Sequence, residues 1–185
     1  MKNGESMEEH YRRFLAGEES AFDALIDACH ESLIFFIHRY VPSLDEAEDI
    51  AEDCFVELIV HPHRYHFKVS LKTYLFAIAR NKAVDYVRHH AALSVTPLDE
   101  YTEKSAAYET FENDILRDER RRAVHEAIGR LNEEFRTVIH LIYFEEMSYD
   151  EAGRVMKKNR KQIENLAYRA RKELRAMLTE EGWRD

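Results

Sequence analysis

The chain has 185 residues, 45% of them apolar and 34% charged, and a formal net charge of −9. By the soft prior of about 100–200 residues per domain it can bury one or two small cores, which points to a soluble globular protein. No uninterrupted apolar run approaches the ~20 residues that cross a bilayer, and the start, MKNGESMEEHYRR, lacks the apolar segment of a secretory signal; a cytoplasmic chain with no membrane insertion is expected.

Helices are expected throughout. Gly is scarce at five, and the three prolines, Pro42, Pro62 and Pro97, fall between periodic stretches, as in helices joined by short connections. Ser6 with Glu9, and Ser43 with Glu46, match the S-x-x-E capping box, in which side chains satisfy the free N–H groups of a first turn. The pattern predicts helices at about 7–16, 20–41, 44–61 and 71–92. In the third, Leu44, Ala47, Ala51, Cys54, Phe55 and Leu58 line one stripe at helical spacing, which is read as core. Cys29 and Cys54 form no CxxC pair and sit inside apolar patterns, so core packing is expected of them rather than a disulfide or a metal.

The periodicity then fails. From Pro97 to Glu119 eight acidic residues (Asp99, Glu100, Glu103, Glu109, Glu112, Asp114, Asp118, Glu119) stand against Lys104 and Arg117. Such a stretch reads as a flexible acidic linker, whose charge repels phosphate and suits a tether between two binding modules. Apolar stripes return as Val124, Ala127, Ile128 and Leu131; Phe135, Val138, Ile139 and Ile142; Tyr149, Ala152, Val155 and Met156; and Ile163, Leu166, Ala167, Ala170 and Leu174. The expected fold class is all-α, with a first helical domain at 1–95, the linker at 96–117 and a second, four-helix domain at 118–185.

That second domain ends on an anomaly of charge. Between Arg154 and Arg175 lie nine Lys and Arg against only Glu164 and Glu173, in a chain that is acidic overall. Ser148 with Glu151 marks one helix start, and Asn159 with Gln162 marks the next, leaving only Lys157 and Lys158 between the end of the first helix and the cap of the second. Two short amphipathic helices so joined make a helix-turn-helix, whose second helix can enter the major groove. With Ile163, Leu166, Ala167 and Ala170 inward, Arg160, Lys161, Glu164, Asn165, Tyr168 and Arg169 face solvent and can read base edges, while Arg171, Lys172 and Arg175 can hold phosphates. The bland alternative is a solvated basic helix on a bundle. Gly153, inside the first of the two helices, costs about 1 kcal/mol against Ala unless close packing requires it.

Two longer stretches carry a family resemblance. "LNEEFRTVIHLIYFEEMSYDEAGRVM" followed by "ENLAYRARKELRAML" resembles the promoter-binding C-terminal domain of bacterial RNA polymerase sigma factors. In the first module, "DEAEDIAEDCFVEL" resembles the helix that docks on polymerase, and "SLKTYLFAIARNKAVDYVRHH" the promoter-melting helix. With two domains and a linker only, the chain is similar to the compact extracytoplasmic-function group, over residues from about 20 to 178.

The resemblance implies site residues position by position. Asp49, Glu52 and Asp53, at i, i+3 and i+4 on one helical face, would meet basic residues on the largest polymerase subunits, Glu52 standing where the family often has Gln. Tyr74, Asn81 and Arg88 recur every seven residues beside Asp85, giving an edge able to hold separated strands; Tyr74 stands where the family usually has Trp. Tyr65, His66, Phe67 and Lys68 are placed like the family loop that captures a flipped base of the minus-ten element. Arg160, Lys161, Glu164, Asn165, Tyr168, Arg169, Arg171 and Lys172 would read the minus-thirty-five element.

The implied partners are core RNA polymerase and promoter DNA, with an anti-sigma protein as a further partner that no residue here identifies. Neither a metal nor a cofactor is expected. His61, His63 and His66 lack an acidic or Cys companion at a known ligand spacing, and no phosphate loop, nucleophile motif or distinguished acid–base pair suggests an enzyme. Two other readings compete: a helix-turn-helix regulator whose first module senses a ligand or dimerises, and a helical phosphate-chemistry enzyme built on the carboxylate-rich helices.

Overall fold

Ser6 opens the first helix, α1 (Met7–Leu15), with the reciprocal cap its sequence predicts: Glu9 N–H donates to Ser6 Oγ at 3.2 Å, and Ser6 N–H to Glu9 Oε2 at 2.7 Å. The computed structural model describes residues 5–93 and 119–180, so the acidic stretch expected to be a linker at 96–117 lies outside the described residues. Among the described residues every regular element is helical. They fall into two compact units: α1 with α2 (Ser20–His38), α3 (Leu44–Val60) and α4 (Leu71–Leu93) as far as His90, and α5 (Glu119–Arg130), α6 (Glu133–Ile139) and α8 (Arg160–Glu180) with most of α7 (Tyr149–Met156).

In the first unit the helix starts match the predicted ones, and only one end differs by more than a residue. α2 stops at His38 rather than near 41, because Val41 precedes Pro42 and the proline ring disfavours helical backbone in the residue before it. Its apolar face meets α3 through Phe22 and Phe55, with ring centroids 6.3 Å apart, and α4 through Phe36 and Phe76 at 5.0 Å. Cys29 and Cys54 are free and buried in this core, each donating its S–H to the carbonyl one turn back, Leu25 O at 3.4 Å and Ile50 O at 3.1 Å. Burial pushes the Cys54 thiol up to about 12, so it is inert rather than reactive. α3 ends before Pro62, which opens a single 3-10 turn, Pro62–Arg64. The chain then crosses to α4, whose first turn is capped by Ser70 Oγ accepting from Thr73 N–H at 3.2 Å. In this crossing Phe67 holds φ +56°, a left-handed conformation that costs a residue with a β-carbon roughly 1–2 kcal/mol.

In the second unit the stripe Phe135, Val138, Ile139, Ile142, expected as one helix, divides. Asn132 caps α6 by accepting from Phe135 N–H at 3.0 Å, and from His140 to Phe144 the chain forms a π-helical turn, closed by Glu145 N–H donating to His140 O at 3.1 Å. The wider turn brings the buried Glu145 carboxylate to 3.0 Å from His140 Nε2 and leaves Tyr143 and Phe144 exposed. A period of 3.6 cannot announce one inserted residue, so the helical pattern runs straight through it.

Candidate nucleic-acid and polymerase interfaces

The joint between α7 and α8 is built by two reciprocal caps. Ser148 N–H donates to Glu151 Oε2 at 3.0 Å while Glu151 N–H donates to Ser148 Oγ at 3.3 Å; Asn159 N–H donates to Gln162 Oε1 at 2.8 Å while Gln162 N–H donates to Asn159 Oδ1 at 2.9 Å. Between them Lys157 takes φ +55°, and Lys158 N–H donates to Gly153 O at 2.9 Å, the long-range bond of a Schellman ending. A β-carbon on Gly153 would lie 2.6 Å from Lys158 O and 3.6 Å from Ile163 Cγ1. The glycine that a helix-turn-helix often carries in its turn is here one step removed: Lys157 bears the left-handed backbone, and Gly153 admits the turn against the helix.

On α8 the predicted faces separate, except that Glu164, expected to face solvent, is half-buried. Ile163, Leu166, Ala167 and Ala170 are buried, and at 3.6 residues per turn Lys161, Asn165, Tyr168 and Lys172 fall on the opposite side. All four are exposed, Tyr168 at 63%. Arg160, Glu164 and Arg171 flank that stripe on one side and Arg169 on the other. Arg160 is held by carboxylates, its Nη1 donating to Asp150 Oδ2 at 2.8 Å and its Nε to Glu164 Oε1 at 3.2 Å; these bonds, that to Glu164 first, raise its already high pKa further. Glu164 also accepts from Lys161 at 3.5 Å. The Arg169 guanidinium lies 5.5 Å from the centroid of the Phe135 ring, and Arg171 Nε donates to Ala167 O at 3.3 Å.

In the first unit Asp49, Glu52 and Asp53 are all exposed on α3, with Asp53 Oδ2 2.9 Å from Lys82 Nζ of α4. Sequence reasoning missed an apolar extension of this surface: Val56, Ile59 and Val60 are exposed as well, one and two turns further along the same side. The signal was present, since none of the three belongs to the buried stripe of α3.

The crossing from α3 to α4 presents His66, Phe67 and Lys68 to solvent, Phe67 at 37%. Tyr65 is different, and here the expectation needs correction: the side chain is 4% exposed and its hydroxyl donates to Val69 O at 2.8 Å. Its ring packs between Tyr74, at 5.0 Å, and Phe67, at 4.7 Å, and burial pushes its hydroxyl up to about 12. A ring so enclosed supports the crossing and has no open face for a base. On α4, Asn81 is half-buried and Arg88 exposed, with Arg88 Nη1 3.7 Å from Asp85 Oδ1. Tyr74 is half-buried against Tyr65 and belongs with the core aromatics. His61 lies 4.0 Å from Glu57 and its ring 5.9 Å from that of His63; among the described residues no three His, Cys, Asp or Glu side chains meet so as to hold a metal ion. Among the described residues, too, no helix is long and apolar enough to cross a membrane.

Comparison with known proteins adds an independent line. Sigma-70 region 2 matches residues 25–92, and sigma-70, region 4 matches residues 121–174, together about two thirds of the chain. The ECF RNA polymerase sigma factor SigM of Bacillus subtilis is 28% identical over 161 residues, which cover 82% of this chain and 94% of that protein. The RNA polymerase sigma-H factor of Pseudomonas aeruginosa is 29% identical over 167 residues, 86% of each. Two solved structures share the fold with a TM-score of 0.63 at 21% identity: the sigma factor RpoE of Bartonella quintana in complex with the anti-sigma factor NepR, covering 85% of this chain and 96% of that one, and CnrH in complex with the cytosolic domain of CnrY, covering 92% and 95%.

Proposed function

The chain belongs to the sigma-70 family, in its extracytoplasmic-function group, and we propose that its exposed surfaces divide the work of a sigma factor among them. It binds core RNA polymerase and directs promoter recognition and transcription initiation, a regulator of transcription rather than an enzyme. Residues 1–95 serve polymerase binding and the minus-ten element, 118–185 the minus-thirty-five element, and 96–117 the tether. The protein acts where promoter and polymerase are, in the cytoplasm, and an anti-sigma protein is a partner of the kind its structural relatives bind.

What carries the DNA-reading half is the α8 stripe directly opposite the buried one. Asn165 and Tyr168 stand at its centre with Lys161 and Lys172 at either end, so the central pair reads base edges and Lys172, with Arg171 beside it, holds phosphates. Arg160, Glu164 and Arg169 join only after leaving Asp150, each other or the Phe135 ring. In the first unit Asp49, Glu52 and Asp53, continued by Val56, Ile59 and Val60, dock on polymerase. His66, Phe67 and Lys68 take the unstacked minus-ten base, with Asn81 and Arg88 along the separated strand, and Tyr65 works beneath them as their support.

Run-off transcription with core polymerase and a genomic promoter library tests the whole reading: promoter-specific transcripts are expected only when the protein is added, and none in its presence would refute it. The division on α8 is tested by substitution. Lys172→Ala and Arg171→Ala are expected to weaken binding to many promoters alike and to lower the salt slope by about 0.9 per lost phosphate contact, whereas Asn165→Ala relaxes preference at one base position at a cost of ~1–3 kcal/mol. Identical specificity profiles for the two classes would refute the orientation.

A further inference from the structure

Glu8, Tyr11 and Arg12 stand at i, i+3 and i+4 on α1 and share one face, and that face grips the crossing between α3 and α4 at three places. The Tyr11 hydroxyl donates to Leu58 O at 2.8 Å, in the last turn of α3 just before the crossing starts. Glu8 Oε1 accepts from Leu71 N–H at 2.5 Å, at the first residue of α4, where it ends; this satisfies one of the N–H groups a helix start leaves unpaired. Between these points the Tyr11 ring meets Tyr65 edge-on at 5.8 Å and lies 6.1 Å from Phe67, while the Arg12 guanidinium sits 4.7 Å from the Phe67 centroid. Phe67 is the residue with left-handed backbone, φ +56°. Strained backbone of this kind persists only where the surroundings over-determine it, and α1 supplies the surroundings.

We infer that α1 is the positioning element of the base-capturing loop: Glu8 and Tyr11 fix its two ends, and Arg12 fixes the Phe67 ring against which an unstacked base packs. The inference rests on the reading of His66–Lys68 as the capture site. Arg12 is itself exposed, and its guanidinium meets the crossing at the Phe67 ring. Pre-set geometry of this sort removes an ordering cost from strand capture and leaves polymerase docking untouched.

The test is a double-mutant cycle in the full-length protein bound to core polymerase, read by permanganate reactivity of unpaired thymines on a duplex promoter. Arg12→Ala is expected to lower open-complex formation about two- to fivefold, the scale of an exposed cation–ring contact. The Arg12→Ala/Phe67→Ala protein should be no worse than Phe67→Ala, because Arg12 acts through that ring, and Arg12→Lys, which keeps a cation there, should recover most of the loss. Glu8→Ala is a second probe expected to show the same pattern. Base preference at the captured position should flatten in Arg12→Ala and Glu8→Ala, which a general loss of stability would not cause. Additive losses from Arg12→Ala and Phe67→Ala, or normal opening by Arg12→Ala and Glu8→Ala where Phe67→Ala fails, would overturn the inference alone. Normal opening by Phe67→Ala would instead remove the capture-site reading, and this inference with it.

Discussion

The Asp49→Lys/Asp53→Lys protein is expected to lose its association with core RNA polymerase while its helical content and unfolding midpoint stay near those of the parent. Both carboxylates are exposed on α3, and the pair that reversal breaks, Asp53 with Lys82 at 2.9 Å, is solvent-accessible; such pairs contribute about 0.2–1 kcal/mol. The fold therefore has little to lose. An interface has much more, because each reversal turns attraction to a basic surface into repulsion, and like charges brought together across an interface cost several kcal/mol. Val56, Ile59 and Val60 sharpen the expectation: burying an apolar patch beside carboxylates excludes water from them and strengthens the charge term. Asp49→Ala/Asp53→Ala, which removes attraction without adding repulsion, should bind more weakly than the parent and with a shallower salt dependence. Anisotropy titration against core polymerase, with circular dichroism of the free proteins, checks all three. Parental affinity in the Lys variant would take the docking role away from this face.

The elements most plainly legible in the sequence were those fixed by local chemistry. Each of the four capping pairs predicted from spacing starts a helix at its expected position, because a cap is a bond between residues three apart and needs no knowledge of the rest of the chain. The helix-turn-helix comes from two such caps, with only two residues between the end of the first helix and the cap of the second. Family membership then decided between a sigma factor and the two competing readings. What escaped was non-local or degenerate. The grip of α1 on the crossing joins Glu8 to Leu71 and Tyr11 to Leu58, across sequence separations that no periodicity encodes. Tyr65 was misread because a tyrosine in an aromatic run suits a stacking platform and a core equally well; only its burial and the bond to Val69 O decide. The π-helical turn at His140–Phe144 was hidden because its apolar residues keep the spacing of a continuous helix.

Gly153→Ala is expected to loosen the helix-turn-helix and cost it minus-thirty-five binding, although alanine favours helices and the position is inside one. The new β-carbon would stand 2.6 Å from Lys158 O, a backbone atom with no rotamer to yield. That carbonyl cannot step back alone: Lys158 N–H is bonded to Gly153 O at 2.9 Å, and the next residue, Asn159, caps α8 through Gln162. Helix propensity gains about 1 kcal/mol from the change, overpacking loses ~1–3 kcal/mol, and disturbing the Asn159 cap adds about 1 kcal/mol more to the loss. The balance is a destabilisation of about 1–3 kcal/mol, concentrated where α8 begins and so at the base-reading stripe. Lys157→Gly should do the reverse. At φ +55° the lysine pays for its β-carbon, and glycine there is expected to stabilise the same turn by about 0.5–1 kcal/mol. Two substitutions four residues apart, each exchanging glycine with a larger residue, thus have opposite signs for one geometric reason. Native-state hydrogen exchange of the α8 amides in the full-length chain measures both, and binding to minus-thirty-five duplexes measures the consequence. Parental exchange and binding in Gly153→Ala would show that the turn tolerates a β-carbon, and the close approach would no longer account for the glycine.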